Sequence, residues 1–181
     1  MPVTPLHYCA AYIINKAKVG LILPALIVGS FIPDIEPFIS YATYERLTPP
    51  RGFLHSLLGA VTLDTFLAVL VTILLYPLVV SWIFKLEKNS VAEKCRFSGM
   101  LMLSALFGCM SHVLIDGTCH EYNPLLYPFI KESFDALVLI KNDWSLASAI
   151  VQITLFVLLL LILVRELTKG NKGFWKRLLV E

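Results

Sequence analysis

The chain has 181 residues, of which 57% are hydrophobic and 15% are charged, and its formal net charge is +2. Soluble domains ordinarily carry about 25% charged residues. This composition therefore excludes an ordinary soluble domain and indicates an integral membrane protein, with the lipid bilayer as its main partner. The basic residues are separated by apolar segments and form no continuous basic face, so we expect no nucleic acid partner.

The predicted elements begin with an amphipathic helix over residues 3–18. An uncharged run follows at 19–33. Its 15 residues are short for a full crossing, so this run either spans the membrane or folds back within the protein. After a loop rich in turn formers, a helix is expected over about residues 55–84. A helix of that length is expected to protrude from the bilayer or to break near Asp64 or Pro77.

Three uncharged runs are long enough to cross a bilayer, which takes roughly 20 residues in a helix. They cover residues 65–84, 97–115 and 144–164. We therefore expect an all-α, polytopic membrane protein with three to four membrane helices. Nothing in the composition divides the chain, so residues 1–181 are predicted to form a single domain.

The distribution of basic residues predicts the orientation of these helices. Lysine and arginine gather in the link 85–96 and in the tail 165–177, which the positive-inside rule places in the cytoplasm. We expect a multi-pass protein of the inner (cytoplasmic) membrane with a cytoplasmic C-terminus. The polar segments 34–55 and 117–143 then share the opposite, extracytoplasmic face.

All four histidines lie in short polar patches that carry or adjoin a carboxylate; they are His7, His55, His112 and His120. Imidazole and carboxylate are the ligand types that bind zinc, manganese or iron. His112 and Asp116 are four residues apart, so both point from the same face of a helix. The sequence therefore predicts a metal site at one membrane face.

This partial site needs further ligands, and the segments predicted at the same face can supply them. His55 and Asp34 are expected to contribute. His7 can join only if the run 19–33 folds back, because a full crossing would leave it on the other side. Two or three histidines with two aspartates fit one zinc ion with an open position, or two metals that share an aspartate.

Several residues near these ligands are candidates for the chemistry. Glu121, Glu36 or Asp64 could act as a general base, and Arg51 could bind an anionic group such as a phosphate. On a straight helix Asp64 faces away from His55, nine residues earlier, so a structural or interfacial role is expected for it. The spacing selects none of these candidates.

Three sequence blocks in a fixed order carry a family resemblance. After His7 come G-x-x-x-P-D at 29–34, R-G-x-x-H-S at 51–56 and H-x3-D at 112–116. This pattern, over residues 7 to about 130, resembles the membrane-bound metal-dependent hydrolases of the LexA-regulated inner-membrane type. The chain departs from that family at Cys119 and Tyr122, where members often have Thr and Gly. Either neighbouring polar residues compensate, or the departure marks a subgroup with a different substrate.

The resemblance implies a helical membrane hydrolase with a divalent metal cofactor. Carried over by position, the metal ligands are His7, Asp34, His55, His112 and Asp116. Zinc is the expected ion, with manganese and iron as alternatives.

The leading hypothesis is a metal-dependent hydrolase that uses activated water to cleave a phosphoester in a lipid or another membrane-accessible substrate. Glu121 and Arg51 are the predicted catalytic residues. Two other classes stay open. The chain could be a transport component that handles protons or cations, or a membrane scaffold whose polar patches join the helices. The sequence gives no oligomeric state.

Overall fold

The structure is a computed structural model that describes residues 3–17, 20–44, 51–141 and 143–181, and the longer regular elements in these ranges are all α-helices. Residues 1, 2, 18, 19, 45–50 and 142, which include the first residue of the uncharged run, lie outside the described ranges. The helices are α1 Tyr8–Ala17, α2 Leu23–Gly29, α3 Ile35–Tyr44, α4 Leu57–Leu74, α5 Tyr76–Phe84, α6 Lys88–Lys94, α7 Gly99–Asp116, α8 Trp144–Thr168 and α9 Phe174–Leu179.

Three of these helices, α4, α7 and α8, are long and apolar enough to cross a membrane. The predicted all-α architecture with three to four membrane helices is therefore confirmed. In α8 only 22% of the residues in the apolar window are buried, against 44% in α7. Helix α8 thus turns most of its apolar surface outward, as a lipid-facing helix does, whereas α7 lies closer to the protein interior.

Helix α4 is irregular at the two predicted positions. Residues Ala60–Asp64 form a π-helical turn, and the Thr65 hydroxyl donates to the Ala60 carbonyl at 2.6 Å. The helix ends at Leu74, and α5 begins with Pro77 in its first turn. Proline has no N–H and its ring clashes with the carbonyl four residues earlier, so α4 cannot continue through it.

Helices α1 and α2 run antiparallel, so the N-terminal segment returns to the end at which it began. The chain turns at Gly20, whose φ of +93° lies in the left-handed region that glycine adopts without strain. Every residue of α2 is buried, which fits a helix that is apolar on all sides. The run 19–33 therefore folds back as a core segment, and His7 and Asp34 lie at the same end.

Two glycines let α2 approach α7 closely. A Cβ atom at Gly29 would lie 2.4 Å from the Ala105 carbonyl oxygen, and one at Gly108 would lie 2.4 Å from the Leu26 carbonyl oxygen. Small residues at a membrane helix interface allow this backbone approach. The contact fixes the end of α2 beside the middle of α7.

The opposite end of the helices is held by a buried acidic residue, Glu166. Its carboxylate accepts hydrogen bonds from the Tyr12 hydroxyl and, at 2.9 Å, from Arg177 Nε. Phe84 and Trp175 pack with ring centroids 4.6 Å apart, which joins the end of α5 to α9. The basic link and the basic tail therefore gather at one end of the helices.

Candidate metal centre

Four of the five predicted metal ligands converge at the other end of the helices. One ligand atom from each of Asp34, His55, His112 and Asp116 lies within 4.8 Å of those of the other three, and all four residues are buried. Asp34 ends a short 3-10 turn after α2, His55 ends another before α4, and α7 supplies the remaining pair on one face.

The distances inside this group suit a shared ion better than direct hydrogen bonds. His112 Nε2 lies 3.5 Å from Asp34 Oδ1 and 3.4 Å from Asp116 Oδ2, and the corresponding distances from His55 Nε2 are 3.7 and 3.8 Å. An N–H···O hydrogen bond spans about 2.7–3.2 Å. Two ligand atoms at about 2.0–2.1 Å from a tetrahedral ion are about 3.3 Å apart. The residues present fit a metal ion.

Both histidines direct Nε2 at the centre and use Nδ1 for a hydrogen bond outside it. His112 Nδ1 lies 2.7 Å from the Ser30 carbonyl oxygen, and His55 Nδ1 lies 3.0 Å from Glu36 Oε2. These oxygens only accept, so each Nδ1 carries the proton and donates. Nε2 is thus the nitrogen left for a metal, and in both residues it is buried and has no hydrogen-bond partner among the described residues. This is the arrangement that metal-binding histidines ordinarily have.

Glu36 orients His55 and is itself held in place by backbone amides. Besides the imidazole, it accepts hydrogen bonds from Gly52 N at 2.9 Å and Leu54 N at 3.2 Å. Burial raises the pKa of Glu36, but His55 and the two amides outweigh burial and hold the pKa below its ordinary value. Glu36 is therefore an ionised anchor for His55. From the sequence, Glu36 is a candidate only for a general base.

Asp34 is charged for a similar reason. Burial raises its pKa, yet the imidazoles of His112 and His55 that face it outweigh burial and hold the pKa of Asp34 well below its ordinary value. An ionised carboxylate is the form that binds a metal.

His7 lies beside the four-residue group and is not a member of it. Its ring stacks on that of His112 with centroids 4.0 Å apart, and its Nε2 lies 3.4 Å from Asp116 Oδ1. Both of its ring nitrogens are buried without a hydrogen-bond partner in the part of the chain that the structure describes. Burial and the nearby His112 outweigh Asp116, so the pKa of His7 is below its ordinary value.

The two predicted catalytic residues occupy different surroundings. Arg51 is at the centre, with its NH2 atom 2.7 Å from Asp116 Oδ2 and a side chain only 9% exposed. Glu121 is exposed and belongs to neither of the groups of candidate metal ligands found among the described residues. Its role as a general base stays a prediction.

A second group shares Asp116. One ligand atom from each of Asp116, Cys119 and His120 lies within 4.8 Å of the other two, and His120 Nε2 is 3.6 Å from Asp116 Oδ2. Burial, followed by the charge of Asp116, raises the pKa of the Cys119 thiol to about 11. Burial, with the charge of Arg51, outweighs Asp116 and lowers the pKa of His120.

Asp64 is buried. The prediction, which assumed a straight helix, did not include this burial. It closes the π-helical turn of α4, has no exposed surface, and interacts electrostatically with Glu36 and His112. Its carboxylate oxygens have no hydrogen-bond partner within the described ranges. A π-helical turn is wider than an α-helical one and changes which residues share a face. Of the structural or interfacial role expected for Asp64, its burial fits the structural one.

These features define a helical membrane protein with a buried histidine–aspartate cluster that could hold a metal ion. Residues 6–174 match the family model described as YdjM inner membrane protein, and the chain belongs to that family. Searches of curated proteins and of solved structures find no match to this chain.

Proposed function

We propose that this protein is a metal-dependent hydrolase of the inner membrane that cleaves a phosphoester bond in a membrane lipid. One observation carries the proposal: in a buried group of four residues, each histidine Nε2 lies 3.4–3.8 Å from an oxygen of both aspartates and has no hydrogen-bond partner among the described residues. Two imidazoles and two carboxylates suit zinc, with manganese and iron as the alternatives.

The residues around the centre have separate tasks in this proposal. Asp34, His55, His112 and Asp116 would hold the ion, which supplies Lewis acidity and activates water for attack on phosphorus. Arg51 is anchored on Asp116 by one nitrogen, so its other guanidinium N–H groups can bind the phosphate oxygens of the substrate. Glu121, on the exposed loop beyond His120, is the proposed general base.

A lipid is the proposed substrate because an apolar groove is lined by the segment that immediately precedes His7. The groove has a volume of about 340 Å³ and lies between the segment that precedes His7 and the lipid-facing helix α8; its lining is Val3, Pro5, Leu6, Gln152, Ile153 and Phe156. An acyl chain in this groove would bury apolar surface.

We also propose that the centre faces the extracytoplasmic side and that the C-terminus is cytoplasmic. The support is the positive-inside rule, since the basic link and tail lie at the end of the helices opposite to the centre. A green fluorescent protein fused after Glu181 is expected to fluoresce in cells. A fusion that reports an extracytoplasmic C-terminus would reverse the assignment.

An assay of the purified full chain in detergent tests the hydrolase proposal. Phosphorus NMR of mixed micelles should show cleavage of phosphatidic acid or phosphatidylglycerol. Chelation with EDTA should abolish the cleavage, and zinc should restore it. Cleavage of soluble nitrophenyl phosphates alone would exclude the lipid as substrate. A protein that keeps its metal but cleaves none of these compounds would overturn the hydrolase proposal.

Replacing Glu36 tests how His55 is oriented. Glu36→Ala should weaken zinc binding by roughly 10–100-fold, because the loss of a carboxylate behind a metal-binding histidine has an effect of that size. Glu36→Gln keeps a hydrogen-bond acceptor, so its loss of zinc affinity should be near the lower end of that range. The affinity is measured by competition with a fluorescent chelator. Glu132→Gln, on an exposed residue, is the matched control, and equal affinities in all variants would contradict the role of Glu36.

A further inference from the structure

The turn that follows α7 keeps three donor side chains together after the helix ends. Cys119 N donates to the Asp116 carbonyl at 3.1 Å and Thr118 N donates to the Ile115 carbonyl at 3.0 Å, so the chain continues to wind. Residues three and four positions after Asp116 therefore stay on its face. Those residues are Cys119 and His120.

This turn is fixed by bonds to the loop that follows it. Asn123 Nδ2 donates to the His120 carbonyl at 2.9 Å, and Leu139 N donates to the Thr118 carbonyl at 3.0 Å. Cys119 is 2% exposed and Asn123 is equally buried. The donors are thus held in place by the fold before any ligand arrives, which favours binding.

The polar atoms of this group lack the partners that buried atoms ordinarily have. His120 Nε2 and Asp116 Oδ1 are buried and make no hydrogen bond to any described residue. Cys119 Sγ lies 3.7 Å from the carbonyl oxygens of Ile115 and Asp116, where sulfur bonds only weakly. Buried polar groups are nearly always paired, so the unpaired His120 Nε2 and Asp116 Oδ1 point to a ligand.

We propose that Asp116, Cys119 and His120 form a second, sulfur-containing metal position that shares Asp116 with the first centre. This inference rests on the proposed metal-dependent function and extends it to two unlike positions. A thiolate with an imidazole and a carboxylate favours zinc or cobalt over magnesium, calcium or manganese. The Nε2 atoms of His112 and His120 lie 3.4 and 3.6 Å from the same oxygen, Asp116 Oδ2, and a carboxylate can bridge two ions, which in two-metal sites lie about 3.5–4 Å apart.

Cobalt substitution of the full chain in detergent tests the second position, because a cobalt–thiolate bond absorbs in the near ultraviolet. After chelation and reloading, the wild type should hold two cobalt ions per chain and show this absorption. Cys119→Ser should hold one ion and lose the near-ultraviolet band, while the visible cobalt bands of the first centre persist. Cys95→Ser, which removes another buried thiol at the basic end, should behave as the wild type.

The outcomes separate the two proposals. One cobalt ion per chain with no thiolate band in the wild type would overturn the second position and leave the first intact. A thiolate band that survives in Cys119→Ser would also overturn it. Absence of bound cobalt would overturn both positions. Circular dichroism of each variant excludes misfolding, and His120→Ala, which should also reduce two ions to one, gives an independent check.

Discussion

Replacing Asp34 with asparagine should deprive the protein of its first metal ion and of metal-dependent hydrolysis. Asp34 Oδ1 faces the Nε2 atoms of both His55 and His112, so this one oxygen can bind an ion that both histidines bind. Loss of a residue that hydrogen-bonds a metal ligand lowers metal affinity by roughly 10–100-fold. Loss of a ligand itself should lower the affinity by more than that. Zinc affinity and zinc content after dialysis measure the effect.

Asp143→Asn is the control for this substitution. Asp143 Oδ1 caps α8 by accepting from Leu146 N at 2.9 Å, and asparagine caps a helix about as well as aspartate does. The two variants thus make the same chemical change, one inside the centre and one outside it. Equal zinc content in Asp34→Asn, Asp143→Asn and the wild type would contradict the assignment of Asp34.

Replacing Gly29 with alanine should destabilise the protein and weaken metal binding together. The added Cβ would lie 2.4 Å from the Ala105 carbonyl oxygen and 3.1 Å from Cys109 N, which are backbone atoms of α7 and cannot turn aside. Overpacking of this kind typically costs about 1–3 kcal/mol. Separation of α2 from α7 would also break the bond from His112 Nδ1 to the Ser30 carbonyl.

Thermal unfolding in detergent, followed by circular dichroism, measures this effect. Gly99→Ala is the matched control, because a Cβ at Gly99 meets no atom within 4 Å and α7 begins there. We expect a lower Tm for Gly29→Ala and an unchanged or slightly higher Tm for Gly99→Ala. The close approach of α2 and α7 would be irrelevant to stability if the two variants unfolded at the same temperature.

The parts of the centre that follow from local spacing could be predicted from the sequence. His112 and Asp116 are one helical turn apart on an uninterrupted helix, so their common face is a property of the helix alone. Alternation of the membrane runs then placed Asp34 and His55 at the same level. The distances among these four residues, in contrast, depend on how the helices pack.

The remaining features depend on tertiary contacts that a periodic pattern does not contain. The inclusion of His7 near the centre follows from the turn at Gly20, which the sequence left as one of two alternatives. The burial of Asp64 follows from a π-helical turn, whereas helical periodicity assumes a regular helix. Glu36 binds a histidine 19 residues away. In the sequence, the only sign of this role was that Glu36 lies two residues after the predicted ligand Asp34.

The zinc K-edge X-ray absorption spectrum of the purified protein, loaded with zinc, tests the central claim most directly. For the first centre the account predicts zinc with oxygen and nitrogen ligands at about 2.0–2.1 Å and the outer scattering of two imidazoles, to which the proposed second position would add a sulfur ligand at about 2.3 Å. The His112→Ala variant should lose that imidazole contribution or the zinc itself. A protein without stoichiometric zinc, or zinc whose spectrum contains no imidazole scattering, would contradict the account.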